Sequence, residues 1–199
     1  MSATSFQARH GCAASMVFAA LLLACATPGA AAAQMLDQVW VGALAHDITD
    51  IGHGRESAGA DLQLEVDTVK PRVLRFLGAP RVDAAIALNS AGTTNFGGVG
   101  LVWDRRLSGR LYGTLQLGVD YTDGVTEVIQ GPAGDSERRH RLLLGSRTLF
   151  QEAVGLNWRL SDRWSLGGEY VHLSNGGLLG HHHNQGLNDL GLRLGYRFR

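Results

Sequence analysis

The stretch Arg110-Leu111-Tyr112-Gly113-Thr114-Leu115-Gln116-Leu117-Gly118-Val119-Asp120-Tyr121 decides the fold. Leu111, Leu115, Leu117, Val119 and Tyr121 fall on one face of an extended strand, and Thr114, Gln116, Gly118 and Asp120 on the other, because successive side chains point to opposite sides. Residues 148–160 repeat the pattern, with Val154, Leu156, Trp158 and Leu160 set against Gln151, Ala153, Gly155, Asn157 and Arg159. Eight segments of this kind are predicted, at 39–46, 59–66, 82–89, 96–104, 110–121, 148–160, 163–174 and 187–198. Segments of roughly ten alternating residues separated by turns are the signature of a transmembrane barrel. In a sandwich the apolar row would face inward, whereas in a narrow barrel it faces lipid and small and polar side chains fill the interior.

Three further observations favour the barrel. Trp40, Trp103, Trp158 and Trp164 lie near segment ends, where aromatic girdles meet the two membrane interfaces. Connections 105–109 and 161–162 are short, whereas 123–147 and 175–186 are long, the asymmetry of periplasmic turns and outer loops. The last segment ends in Phe198, similar to the terminal aromatic of outer-membrane barrels. The expected fold is therefore all-β, an eight-stranded antiparallel up-and-down transmembrane barrel of outer-membrane type with both termini periplasmic. Connection 67–80 breaks the pattern with Val69, Val73, Leu74, Phe76 and Leu77; it reads either as an extension of two strands or as an interfacial segment.

Residues 1–33 read as a cleaved signal peptide, with Arg9 and His10, an apolar run from Ala13 to Ala26, and a small-residue exit at Ala31-Ala32-Ala33, so the barrel domain is residues 34–199. A lipobox ending at Cys25 is the alternative. Cys12 and Cys25 both lie in this leader, so the exported domain is expected to have no disulfide. Glycine is abundant at 27 residues and proline scarce at 4, which suits strands with a crowded inner face better than disorder. A formal net charge of +0 gives no electrostatic case for nucleic acid.

The chemistry concentrates in the last two segments. Trp164, Leu166, Gly168, Tyr170, His172 and Ser174 share one face of the seventh, and Asn188, Leu190, Leu192, Leu194, Tyr196 and Phe198 share one face of the eighth. The bulky residues mark these as the lipid faces, so His172, Ser174 and Asn188 look outward on neighbouring strands. A serine hydroxyl needs a base to take its proton, and imidazole suits that role near neutrality. The imidazole needs a partner on its other nitrogen, which Asn188 can supply through its amide oxygen. Asp189 is a carboxylate one residue on, but alternation turns it to the lumen unless a bulge shifts the register. Asn175, Asn184 and the backbone amides of Gly176 and Gly177 are candidate oxyanion donors.

The segment His172-Leu173-Ser174-Asn175-Gly176-Gly177-Leu178 followed by Asn184-Gln185-Gly186-Leu187-Asn188 resembles the active-site signature of the lipid A 3-O-deacylase (PagL-like) or acyloxyacyl hydrolase family. His46-Asp47 and Leu144-Gly145-Ser146-Arg147 also fit the group. The resemblance implies an outer-membrane serine esterase that removes the 3-O-linked acyl chain of lipid A through a His-Ser-Glu triad. It assigns His172 as base and Ser174 as nucleophile, places Asn175 and Asn184 around the oxyanion, and puts the family glutamate at Asn188, a departure from the pattern. It implies lipopolysaccharide of the outer leaflet as partner, no cofactor, and a monomer or homodimer in the outer membrane. A non-catalytic structural barrel, a lipid acyltransferase and a small pore are the competing readings.

Other clusters have simpler accounts. His181-His182-His183 are adjacent in a loop and diverge too far to read as a metal site, so no metal is expected. Arg138, Arg139, His140 and Arg141 form a basic cluster on the longest loop, suited to lipid phosphate or to solvent. Gly92, Gly97, Gly98 and Gly100 are not followed by a helical pattern and do not read as a nucleotide loop.

Overall fold

The computed structural model describes residues 35–49, 52–53, 56, 59–127, 131, 134–135, 139–180 and 183–198. The expected leader 1–33, Arg138, His181 and His182 lie outside these residues. Among the described residues ten strands are formed: β1 Leu36–Ala45, β2 Ile48–Thr49, β3 Gly52–His53, β4 Ala60–Thr68, β5 Arg81–Asn89, β6 Phe96–Ser108, β7 Leu111–Thr122, β8 Thr148–Arg159, β9 Trp164–Ser174 and β10 Leu187–Arg197. Eight of them close into a barrel in the order β1-β10-β9-β8-β7-β6-β5-β4, while β2 and β3 form a small hairpin in the first loop. All barrel pairs are antiparallel. Closure leaves no unpaired edge, which is what lets strands cross lipid.

The alternation is inside out relative to a water-soluble protein. Leu115, Leu117, Val119 and Tyr121 of β7 are 43–52% exposed, while Gln116 and Asp120 between them are buried. The lumen is packed with polar groups. Arg193 bonds Glu65 at 3.2 Å, pairs with Glu169, and lies over the Trp40 ring at 4.3 Å from its centroid. Gln38 donates to Asp67 at 2.5 Å and Gln116 to Asp83 at 2.5 Å.

Three expectations are corrected. Trp40 is buried in the lumen and not in a girdle. It lies opposite Gly195 in the β1–β10 register, and the missing side chain there leaves room for an indole that Arg193 then covers. The exposed Trp158 and Trp164 and the outward Trp103 all lie toward the end that carries the short turns, so the tryptophans mark one interface instead of two. The interior is also not polar throughout. At the loop end Leu44, Ala87, Phe96, Leu142, Leu144, Leu149, Ala153, Val171, Leu173 and Leu187 form one apolar cluster, to which the long third loop contributes two leucines. Excluding water from these side chains fixes the loops onto the barrel mouth.

Connection 67–80 combines the two readings left open. β4 runs on to Thr68, and Arg72–Leu77 forms a 3₁₀ helix that ends at Gly78 in the left-handed conformation, φ 86°. Val73 and Phe76 are 75% and 80% exposed. The Trp103 indole N–H donates to the Leu77 carbonyl at 2.7 Å, which holds the helix against β6.

Candidate functional site

The last two barrel strands run without a register shift, so alternation sorts their side chains as the sequence predicts. On the outer face the pairing makes rungs across β8, β9 and β10: Glu152, His172 and Asn188, then Val154, Tyr170 and Leu190, then Leu156, Gly168 and Leu192. Ser174 lies above His172 at the loop end of β9 and pairs with Phe150.

Asn188 Oδ1 lies 2.7 Å from His172 Nδ1 and accepts a second bond from the Tyr170 hydroxyl at 2.7 Å. An amide oxygen can only accept, so Nδ1 carries the proton and Nε2 is left with its lone pair. Asn188 therefore does what an orienting partner must do. His172 and Ser174 are both half-buried on the same face, yet no hydrogen bond joins them among the described residues. Such bonds often tighten only when substrate arrives. Ring and hydroxyl are placed side by side, not yet coupled.

The loop after Ser174 is braced from within. Asn175 is buried; its side-chain amide donates to the carbonyls of Leu144 at 2.8 Å and His183 at 2.6 Å, and its Oδ1 accepts from Gly177 N–H at 2.8 Å. Asn184 Oδ1 accepts from the Asn175 backbone N–H at 2.9 Å. The amide of Asn175 is thus spent on holding the turn and is not aimed at Ser174. Gly176 and Gly177 have φ of 61° and 69°, the left-handed turn that glycine accepts without strain. Gln185 pairs with Leu143 in both directions, at 3.0 and 3.1 Å, which ties this loop to the third. Gly186 is needed for space, since a Cβ there would meet His172 Cε1 at 2.6 Å.

Asp189 faces the lumen, as alternation requires. His46 Nδ1 lies 2.7 Å from Asp61 Oδ2 and 3.6 Å from Asp189 Oδ1, and its Nε2 lies 3.4 Å from Glu56 Oε2, all of these side chains being buried. Glu56 also accepts from the Thr94 hydroxyl at 2.6 Å, Arg141 Nε at 2.6 Å and the Leu142 N–H at 2.9 Å. Burial alone would lower the His46 pKa, but the bonds to Asp61 and Glu56 outweigh it and raise it to about 10. For Glu56, burial would raise the pKa, and the His46, Thr94 and Arg141 bonds instead bring it down to about 2. The His46, Asp61 and Asp189 ligand atoms lie within 4.8 Å of one another and have the composition of a metal site. Both ring nitrogens of His46 face carboxylates, Nδ1 toward Asp61 and Nε2 toward Glu56, which makes the cluster an ion-pair lock between the first loop and the barrel. Of the basic cluster expected on the third loop, Arg141 is turned into this lock.

Tyr170 is not among the residues that the sequence assigns to the site. Tyr170 counted only as a bulky face marker, though its hydroxyl reaches the residue that orients His172. Beneath the rung of His172 a shallow groove of about 340 Å³ opens on the lipid face, lined by Val154, Leu156, Gly168, Tyr170 and Leu190 among others.

Comparison with a solved outer-membrane structure agrees with the barrel fold. The crystal structure of the outer membrane enzyme PagL superposes with a TM-score of 0.53 at 17% identity, covering 79% of this chain and 97% of that one. A de novo designed transmembrane β-barrel gives 0.49 at 15% identity, covering 81% and 94%. The N-terminal barrel domain of Pseudomonas aeruginosa OprF gives 0.48 at 12% identity, covering 83% and 100%. A search of curated protein sequences finds no match. The family model of the lipid A 3-O-deacylase (PagL) matches residues 80–197, a span that contains six of the eight barrel strands complete, β9 and β10 among them, and the chain belongs to that family.

Proposed function

We propose that this barrel sits in the outer membrane and hydrolyses the 3-O-linked acyl ester of lipid A, with Ser174 as nucleophile and His172 as base. The observation that carries the reading is the lipid-facing rung in which Asn188 holds the His172 ring beside Ser174, directly above an apolar groove. In acylation the Ser174 Oγ–carbonyl bond forms as its proton passes to His172 Nε2. The bond from the carbonyl carbon to the sugar oxygen then breaks, and His172 returns the proton to that oxygen. Water, deprotonated by His172, releases the 3-hydroxy fatty acid and restores Ser174. The half-buried rung and the groove suit a substrate whose acyl chain lies along the barrel wall while its ester stays at headgroup height. Of the oxyanion donors, the Gly176 N–H and the Asn184 amide are the better candidates, since the Asn175 amide is engaged by two carbonyls. His172, Ser174 and Asn188 come from one chain, so a monomer suffices for the chemistry.

Mass spectrometry of lipid A from cells expressing the parent chain, Ser174→Ala and His172→Ala tests this. Loss of one ester-linked acyl chain with the parent alone is the expected result. If all three folded, membrane-inserted proteins leave lipid A unchanged, the hydrolase reading fails. The second reading, a non-catalytic barrel, is favoured by the amide at position 188 where the family places a carboxylate. An acyltransferase would instead add the released chain to a second lipid, which the same spectra would reveal.

A further inference from the structure

We infer that Glu152 supplies the negative charge of this site, as a positioning residue acting on His172 from β8. The inference rests on the Ser174–His172 reading. Glu152 is the register partner of His172 in the β8–β9 pair, and Asn188 is its partner in the β9–β10 pair. His172 therefore stands between an amide on one side and a carboxylate on the other, with side chains of a rung roughly 5 Å apart at Cβ.

Two features separate Glu152 from ordinary surface charge. It interrupts the outward row Phe150, Val154, Leu156 and Trp158, where Val154, Leu156 and Trp158 are 51–53% exposed. A carboxylate on the lipid face of a barrel is costly wherever lipid covers it. The acidic residues of β7, β9 and β10, namely Asp120, Glu169 and Asp189, are buried in the lumen instead. Nor does Glu152 hold anything together, since no hydrogen bond or ion pair engages it among the described residues. Its placement gains no structural contact among the described residues.

The arrangement divides between two strands the work that one carboxylate does in a serine-histidine-acid triad. Asn188 accepts from Nδ1–H and so fixes the tautomer and the ring plane. As a neutral group it does little for the positive charge that His172 acquires when it takes the Ser174 proton. Glu152 faces that charge across the rung, at a separation over which a carboxylate favours the charged imidazole. The ring keeps its orientation from β10 and receives its counter-charge from β8.

The test uses full-length protein folded in detergent micelles, with heat-modifiable migration as the check of folding. The rate at which a fluorophosphonate labels Ser174 is followed against pH for the parent, Glu152→Gln, Glu152→Asp and Glu152→Gln combined with Asn188→Glu. Glu152→Gln is expected to slow labelling about 10- to 100-fold and to move the acid limb of the pH profile to lower pH by about half a unit. Glu152→Asp should keep most of the rate, and Asn188→Glu should restore it in the Glu152→Gln background. A folded Glu152→Gln protein that labels within about twofold of the parent with an unmoved acid limb overturns the inference, because a merely structural change would leave that limb in place. The probe does not require lipid A. A parent that labels at Ser174 yet leaves lipid A intact refutes the substrate reading alone, whereas a folded parent that does not label refutes both.

Discussion

Two histidines approach β10 from opposite sides of the barrel wall, and their partners there are adjacent in sequence. His172 meets Asn188 outside, and His46 meets Asp189 inside. The inner ring is enclosed by Asp61, Glu56 and Asp189, carries its proton to about pH 10, and has neither nitrogen free. The outer ring has one nitrogen bonded to a neutral amide and no hydrogen bond to the other among the described residues. Surrounding a histidine with carboxylates thus makes a strut, whereas one acceptor and an open side suit a histidine to the proposed role of base. The strut ties the first and third loops together through Glu56 and Arg141, and the third loop braces the turn that follows Ser174.

The comparison breaks most sharply on chemistry. Removing the outer ring or its serine, by His172→Ala or Ser174→Ala, is expected to lower deacylation at least about 10³-fold, measured as acyl chain released from purified lipid A. Removing the inner ring by His46→Ala should leave the rate per folded molecule nearly unchanged and lower the urea midpoint of unfolding. Equal loss of turnover from both would mean that the inner cluster is part of the reaction. Next in size is Asn188→Ala, which frees the tautomer and should cost about 10- to 100-fold in kcat, while Asn188→Glu holds or raises it. A collapse with Asn188→Glu would show that the site is built around an amide.

Filling the groove should matter less. Gly168 faces outward, and a Cβ there meets only Gly191 O at 3.7 Å, so Gly168→Leu should fold. It is expected to slow cleavage of long-chain esters about 10-fold relative to short ones, a ratio read with p-nitrophenyl esters of graded length. The smallest effects are in the pH dependence of stability. The raised pKa of His46 makes its contribution full below its unfolded pKa and progressively lost as pH rises through about 10. The lowered pKa of Glu56 makes its contribution full above its unfolded pKa and lost as pH falls through about 2. The folded state binds the extra proton in the first window, and the unfolded state binds it in the second. Urea midpoints should therefore decline at both extremes, with His46→Asn flattening the alkaline arm and Glu56→Gln the acid arm.

The strands were legible because alternation is a strong signal. Each barrel strand lies within a few residues of its expected span, and the faces of β9 and β10 were read correctly, with Asn188 outward and Asp189 in the lumen. The site was legible in part, because His172, Ser174 and Asn188 sit on one hairpin whose register follows from alternation. Glu152 required one more step. The tight connection between β8 and β9 fixes their pairing from Arg159 opposite Ser165 upward, and counting rungs from that turn leads to Glu152 opposite His172. Trp40 was misplaced because ring size suggested the girdle, and only its partner Gly195 explains how an indole fits inside. The apolar plug was hidden because Leu142 and Leu144 come from a loop, where periodicity says nothing. The 3₁₀ helix was hidden because its apolar residues follow neither period.

A reactive rung on the wall of a barrel, facing sideways, has a consequence for kinetics. Substrate would reach Ser174 by diffusing in the plane of the leaflet, so the relevant concentration is a mole fraction of lipid and not an amount per volume. Diluting lipid A with inert lipid in the same vesicles would slow the reaction even while the bulk concentration of both stayed constant. Adding more vesicles of the same composition would leave turnover by membrane-embedded protein unchanged.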